Sequence, residues 1–157
     1  MDINTEAPFQ SARDGVADPA GKAAAALLLG VAGFQAALAL AAPWGSAAYG
    51  GGNPGVLPHS LRTASAGACG VYLLLAAAAG TSFVPAALRR RVLYGTAGLM
   101  VVGTLMNLAS PSLIERMIWT PVTAALVVLL WRSAKGEVIA SEPAFWHRSS
   151  SRKSPQR

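Results

Sequence analysis

The sequence predicts an all-α integral membrane protein, a bundle of four transmembrane helices with both termini in the cytoplasm. The first observation is composition: 53% of the 157 residues are hydrophobic and only 13% are charged, against roughly 25% in typical soluble proteins. The second is the presence of four long uncharged apolar runs. The third is the uneven distribution of lysine and arginine among the segments that flank these runs.

The four apolar runs are long enough to cross hydrocarbon, which takes about 20 helical residues at roughly 1.5 Å each. Because the charge-free part of the fourth run, 117–131, is short, we expect its helix to begin near Ser112, with Trp119 and Trp131 in the two interfacial belts. No run alternates apolar with polar residues, so helices are predicted rather than strands. The predicted spans are about 23–42, 63–84, 92–109 and 112–131.

The positions of lysine and arginine predict the direction of the spans. Of the 13 such residues, all except Arg62 and Arg116 belong to the N-terminal segment, the second connection or the C-terminal tail. Cytoplasmic loops of membrane proteins carry the excess of positive charge. The sequence therefore predicts a multi-pass protein of the inner (plasma) membrane with the first loop outside.

The segments outside the spans are polar tails. We expect residues 1–21 and the basic residues 133–157 to be disordered in the cytoplasm, and 22–132 to form the transmembrane domain. The alternative is that the first apolar run is a cleaved secretory signal. The acidic residues before that run disfavour this alternative, because a signal peptide begins with a short basic region.

Small residues predict how the helices pack, because helices in lipid associate through close backbone approach. The first three spans carry glycines at helical spacing, whereas the fourth is rich in valine and leucine. We therefore expect a compact core built on the first three spans, with the fourth more peripheral. The glycines concerned are Gly30, Gly33, Gly67, Gly70, Gly95, Gly98 and Gly103.

Two uncharged polar residues are predicted at membrane depth, where polar groups are often functional. Gln35 lies in the middle of the first span, and Asn107 lies near the outer end of the third. Each either makes a hydrogen bond between helices or contacts a solute. Neither side chain can act as an acid or a base.

Arg62, Glu115 and Arg116 form the charged group of the predicted outer face. Three interpretations of Glu115 are open. It forms a capping box with Ser112, in the pattern S-x-x-E; it forms a salt bridge with Arg62 that joins the two helical hairpins; or it takes part in ligand binding.

The first loop is rich in residues typical of a membrane interface and of tight turns. Pro43 is expected to end the first helix, Trp44 and Tyr49 suit the interface, and glycines 50–52 permit unusual backbone conformations. A phosphate-binding loop is not predicted, because no strand precedes the glycines and no Lys-Ser or Lys-Thr pair follows them.

No catalytic, metal-binding or cofactor-binding residue is predicted. Cys69 is the single cysteine, and the two histidines, His59 and His147, lie on opposite predicted sides of the membrane. No carboxylate lies within the core of a span. Nucleic-acid binding is not expected either, because the basic residues follow the ends of apolar runs.

The segments "FQAALALAAPWGSAAYGG", "GVLPHSLR" and "TLMNLASPSLIERMIWTPV" resemble a group of small four-span membrane proteins of actinobacteria and other high-GC bacteria. The resemblance covers residues 33–130 and implies the four-span fold but no particular activity. The matching residues are Phe34, Gln35, Pro43, Trp44, Gly45, Tyr49, Gly50, Gly51, Leu57, Pro58, Leu61, Arg62, Asn107, Ser110, Ser112, Glu115, Arg116, Trp119 and Pro121.

The sequence thus predicts a non-enzymatic membrane protein that binds at an outer cap formed by the loops 43–62 and 110–116. The cap contacts a partner membrane protein or a second copy, or it closes over a small ligand. The alternative is a small transporter or channel subunit for an uncharged or anionic solute, with Gln35, Asn107 and Arg62 along its path. A lipid-modifying enzyme dependent on Glu115 is a third hypothesis.

Overall fold

The structure, a computed structural model, describes residues 18–140, with side chains up to residue 136. These residues form four α-helices, with two short 3-10 turns, Gly45–Ala47 and Tyr49–Gly51, in the loop 40–58 between the first two helices. The predicted disorder of the tails falls largely on 1–17 and 141–157, outside the described residues. The helices are α1, Pro19–Ala39; α2, His59–Gly80; α3, Ala86–Leu108; and α4, Leu113–Ala140.

Three of the four described helices are long and apolar enough to cross a membrane: α1, α2 and the part of α4 from Leu113 to Gly136. The predicted third span is not among them. Helix α3 has 23 residues and is therefore long enough to cross a membrane, so it differs from the other three helices in composition and not in length. It begins with three arginines at 89–91 and carries polar residues further along.

Helix α1 begins four residues before the predicted span because Asp18 caps it. The Asp18 side chain accepts a hydrogen bond from the Gly21 backbone N–H at 3.2 Å, and Pro19 occupies the first helical position. Aspartate before proline is a strong start signal for a helix, since the carboxylate satisfies a free N–H and proline has none to lose.

The helices run up and down, so that the described chain begins and ends at the same end of the bundle. Ser133 of α4 donates a hydrogen bond of 2.6 Å to Asp18 at the start of α1. We call this the arginine end, since Arg89 also lies here, and we call the opposite end, formed by the loop 40–58 and the turn 109–112, the loop end. Residues 134–140 of α4 extend roughly 10 Å beyond Ser133.

The core lies in the half of the bundle nearer the arginine end. Helix α1 packs along α2, α3 packs along α4, and contacts between α1 and α4 join the two pairs. The expectation that the fourth helix is peripheral is wrong, because Leu126, Leu130 and Ala134 of α4 are fully buried. The other buried core residues are Ala24, Ala25, Leu28, Ala76, Ala79, Leu93, Ala97 and Met100.

Of the seven predicted glycine contacts, that of Gly103 is found: a Cβ added there would lie 3.9 Å from Thr123 Cγ2 of α4. The other six are wrong for this single chain. A Cβ added at Gly30, Gly33, Gly67, Gly70, Gly95 or Gly98 would meet nothing within 4 Å. The close approach occurs instead at Gly80 of α2, where an added Cβ would lie 2.8 Å from the Ala25 Cβ of α1. The sequence shows that small residues recur, but the buried face of each helix depends on its rotation in the bundle.

Candidate functional site

A cavity of about 260 Å³ lies between the main core and the loop 40–58. Met100 and Leu126, which belong to the core, lie at one side of it, and Ala47 and Ala48 of the loop lie at another. Residues of all four helices and of the loop thus border the cavity. The remaining residues that line it are Val31, Phe34, Gln35, Tyr49, Tyr72, Asn107, Glu115, Trp119 and Thr123.

The loop reaches over the cavity by means of a turn that requires glycine. Gly45 donates a backbone hydrogen bond of 2.9 Å to the Gly55 carbonyl, which closes the loop on itself. Tyr49, Gly50 and Gly51 follow with φ values of 52°, 78° and 73°, in the left-handed region that side chains rarely adopt. The predicted special conformation of the glycines is therefore found at residues 50 and 51.

The side chain of Tyr49 explains how a non-glycine residue is held in this conformation. Its hydroxyl lies 2.9 Å from Ser65 Oγ and donates to the Leu61 carbonyl at 3.3 Å, both on α2. A left-handed conformation costs a non-glycine residue about 1 kcal/mol or more, and such strain persists where surrounding contacts hold it. Tyr49 therefore fixes the loop to α2 at the edge of the cavity.

Three hydrogen bonds fix the loop to α4. The Trp119 indole N–H donates to the Ala47 carbonyl at 2.7 Å, and Ser112 Oγ donates to the Ser46 carbonyl at 2.7 Å. The Gly50 backbone N–H donates to Glu115 Oε2 at 3.0 Å. These bonds span more than 60 positions in sequence, so no local pattern reveals them.

Glu115 forms only part of the predicted capping box. Its backbone N–H donates to Ser112 Oγ at 3.2 Å, but its carboxylate turns away from the start of the helix toward the loop. There Oε2 accepts hydrogen bonds from Gly50 and from the Ser110 hydroxyl. The carboxylate thus joins the loop 40–58 to the turn that precedes α4.

The salt bridge between Arg62 and Glu115 does not form. Arg62 lies in the first turn of α2, and its Nε donates to the Ala39 carbonyl at the end of α1, at 3.1 Å. A guanidinium at a helix C-terminus donates to a free carbonyl, and its positive charge interacts favourably with the negative end of the helix dipole. Arg62 therefore joins the two helices that flank the loop 40–58. It lies beside His59 in a depression that is separate from the cavity.

We expect the effects of Arg62→Ala and Glu115→Ala on stability to be additive, because the two side chains share no partner. Each variant should lose about 1 to 2 kcal/mol of unfolding free energy, and the double variant should lose the sum to within about 0.5 kcal/mol. The measurement is a double-mutant cycle by chemical unfolding in detergent. If the double variant loses no more unfolding free energy than either single variant, the two side chains interact, and the absence of a salt bridge is contradicted.

Several polar side chains that line the cavity have groups without a partner among the described residues. Gln35 Oε1 is buried and accepts no hydrogen bond from any of these residues. Within the part of the chain whose side chains are described, the side chains of Asn107 and Tyr72 also make none. Such groups are costly to bury alone, and those of Asn107 and Tyr72, which line the cavity, are available to a molecule in it.

The prediction placed Gln35 at mid-membrane, whereas α1 ends at Ala39, one turn further on. Gln35 therefore lies at the level of the loop, together with Asn107 of the last turn of α3 and with Glu115. Of the predicted polar group, these three residues meet at one cavity. Arg62 does not line it, and Arg116 is exposed.

Aromatic rings form one wall of the cavity. Phe34 contacts Trp119 with centroids 4.6 Å apart and the rings inclined at 59°, and it stacks on Trp44 at 6.0 Å. The anchoring role of Trp44, Tyr49, Trp119 and Trp131 at the interface stays a prediction. Trp131 lies toward the arginine end, where the Lys135 ammonium lies 4.0 Å from its ring.

The arginine end contains a second polar cluster, around Arg89. Arg89 is 3% exposed and donates to the Ala78 and Ala79 carbonyls at 3.0 and 2.7 Å, and to Ser133 Oγ at 3.4 Å. Its guanidinium also lies 3.8 Å from Asp18 Oδ1. In the sequence Arg89 is only one charge among three, and nothing in "RRR" distinguishes it from the exposed Arg90 and Arg91.

The chain was compared with known proteins at three levels. It matches no protein-family profile, no curated protein and no solved structure.

Proposed function

We propose that the protein is a four-span component of the plasma membrane, without enzymatic activity, that binds a small molecule in the cavity at its outer, loop end. The single observation that carries the proposal is the cavity of about 260 Å³ at the loop end, which is lined by polar side chains of Gln35, Asn107 and Glu115 and by aromatic rings. The proposal keeps the predicted outer cap and selects a small ligand over a protein partner. It is consistent with the resemblance to small four-span proteins.

The exposed apolar surface of α3 supports the proposal that α3 also crosses the membrane, in addition to α1, α2 and α4. Leu99, Val102, Leu105 and Met106 are each more than half exposed and point away from the other helices. Exposed apolar patches of this extent are unfavourable in water and suit lipid. The three arginines of α3 lie near its start, Thr104 bonds to Thr123 of α4 at 2.9 Å, and Asn107 lines the cavity, so these polar side chains need not face lipid.

The charge distribution supports the orientation. The described cations lie mainly at the arginine end, where Lys22, Arg90 and Arg132 accompany Arg89, whereas the loop end carries Arg62 and Arg116. Under the positive-inside rule, the arginine end is cytoplasmic and the loop end is outside. Alkaline phosphatase fused after Ala140 would be inactive, and an active fusion would contradict the orientation.

The packing beside the cavity favours binding over transport. Leu28, Leu93 and Leu130 fill the centre of the bundle between the cavity and the arginine end, with exposures of 1% or less. A solute would have to displace this core to cross. Arg62, which the transport hypothesis needs along the path, lies in a different depression.

The test uses a substitution at the cavity wall that reduces the volume of the cavity. The full chain in detergent should bind benzyl alcohol saturably in calorimetry, and Val31→Phe, which adds a ring at a cavity-lining position, should weaken that binding at least tenfold. The control is Val71→Phe, since Val71 is 54% exposed on α2. Thermal unfolding checks that both variants fold. Equal binding by both variants would place the probe outside the cavity and contradict the proposal.

A further inference from the structure

We propose that the ligand of this cavity is an organic cation: an ammonium group, protonated or quaternary, carried on an apolar body about the size of one ring. The inference rests on the proposed function and adds the charge and size of the ligand. It follows from the charge of the cavity, from the acceptor that faces it, and from its aromatic wall.

The charge that the described side chains give the cavity is negative. Among them Glu115 lines the cavity, and no lysine, arginine or histidine does. Within the described side chains Glu115 has no cationic partner within 4.0 Å, and the ion pair found is that of Arg89 with Asp18 at the other end of the bundle. A partly buried carboxylate without a counterion is unfavourable, so a cation in the cavity would stabilise it.

The hydrogen bonds of Glu115 leave one oxygen for a ligand. Both described partners, Gly50 and Ser110, bind Oε2. Oε1 makes no hydrogen bond to the described residues. It is also accessible, unlike the buried Gln35 Oε1. One charged acceptor oxygen, Glu115 Oε1 on α4, is therefore left for a ligand.

The remaining lining suits the rest of a cation. Phe34, Tyr72 and Trp119 provide rings, whose faces attract ammonium groups by about 0.5 to 2 kcal/mol each, more when water is excluded. Val31, Met100 and Leu126 provide apolar surface on the core side. The cavity thus offers an acceptor toward the loop and hydrocarbon toward the core.

The volume limits the size. An apolar cavity of about 150 Å³ accommodates benzene. A cavity of about 260 Å³ therefore has room for one ring with a short substituent. An anion is disfavoured, since Arg62 is outside the cavity and the Glu115 carboxylate would repel it.

The test compares three probes of similar size and different charge on the full chain in detergent, by calorimetry. The probes are benzyltrimethylammonium, benzyl alcohol and benzoate. We expect the cation to bind at least tenfold more tightly than the alcohol, and benzoate to show no saturable binding. Glu115→Gln should remove the preference for the cation, so that the cation binds no more tightly than the alcohol does to the same variant. The control is Arg116→Gln, which changes a neighbouring exposed charge and should preserve the ranking.

The outcomes separate this inference from the proposed function. If the alcohol binds as tightly as the cation to the unaltered chain, the charge assignment is wrong and the cavity still binds ligands. If none of the three probes binds saturably, both proposals fail. The ranking on the unaltered chain requires no variant, so a Glu115→Gln protein that does not fold leaves the test intact.

Discussion

Replacing Arg89 by alanine should destabilise the bundle by about 3 kcal/mol, because it removes a buried cation and leaves several groups without partners. The Ala78 and Ala79 carbonyls at the end of α2 would lose their donor, and Asp18 at the start of α1 would lose its counterion. Ser133 on α4 would lose a further hydrogen bond. One side chain of α3 thus contacts the start of α1, the end of α2 and Ser133 of α4.

The measurement is chemical unfolding in detergent, followed by circular dichroism. Arg90→Ala is the matched control, because Arg90 is exposed and adjacent, and it should change the unfolding free energy by less than about 0.5 kcal/mol. The loss of unfolding free energy in Arg89→Lys should lie between those of Arg89→Ala and Arg90→Ala. Lysine keeps the charge but lacks the planar guanidinium that reaches several acceptors. Equal losses for Arg89→Ala and Arg90→Ala would show that the cluster contributes no stability.

Replacing Gly51 by alanine should destabilise the protein by about 2 to 3 kcal/mol, from backbone strain and a steric clash together. Gly51 has φ +73°, and a Cβ added there would lie 2.7 Å from the Ser112 Cβ at the start of α4. Relief of the clash would move the loop 40–58 away from α4 and weaken the bond from Gly50 to Glu115. We therefore expect benzyl alcohol binding to weaken as well.

Gly52→Ala is the control for this prediction. Gly52 has φ −69°, and an added Cβ would meet nothing within 4 Å, so alanine should be neutral or slightly stabilising. Thermal unfolding and limited proteolysis of the loop measure both effects. A Gly51→Ala protein with the stability and the protease resistance of Gly52→Ala would contradict the loop geometry.

The sequence predicted Asn107 and Glu115 near the outer, loop end but Gln35 at mid-span, and it did not predict the partners of the polar residues. Glu115 illustrates the difference. Its Ser112 contact is local and was among the predicted alternatives, whereas Gly50, which lies 65 positions away, was not expected as a donor. Arg62 was placed near the start of α2, yet its partner is the Ala39 carbonyl. Neither contact follows from residue type and spacing.

By itself the sequence determined four helices, their antiparallel order and the gathering of positive charge at one end, because hydropathy, helix start signals and charge are read along the chain. Only the tertiary structure decided that Gln35, Asn107 and Glu115 share a cavity, that Arg89 is buried, and that the glycines at 30 and 33 face outward. The rotation of each helix and the path of the loop 40–58 determine these contacts. Both depend on how side chains from distant segments pack together, and a single sequence does not display that packing.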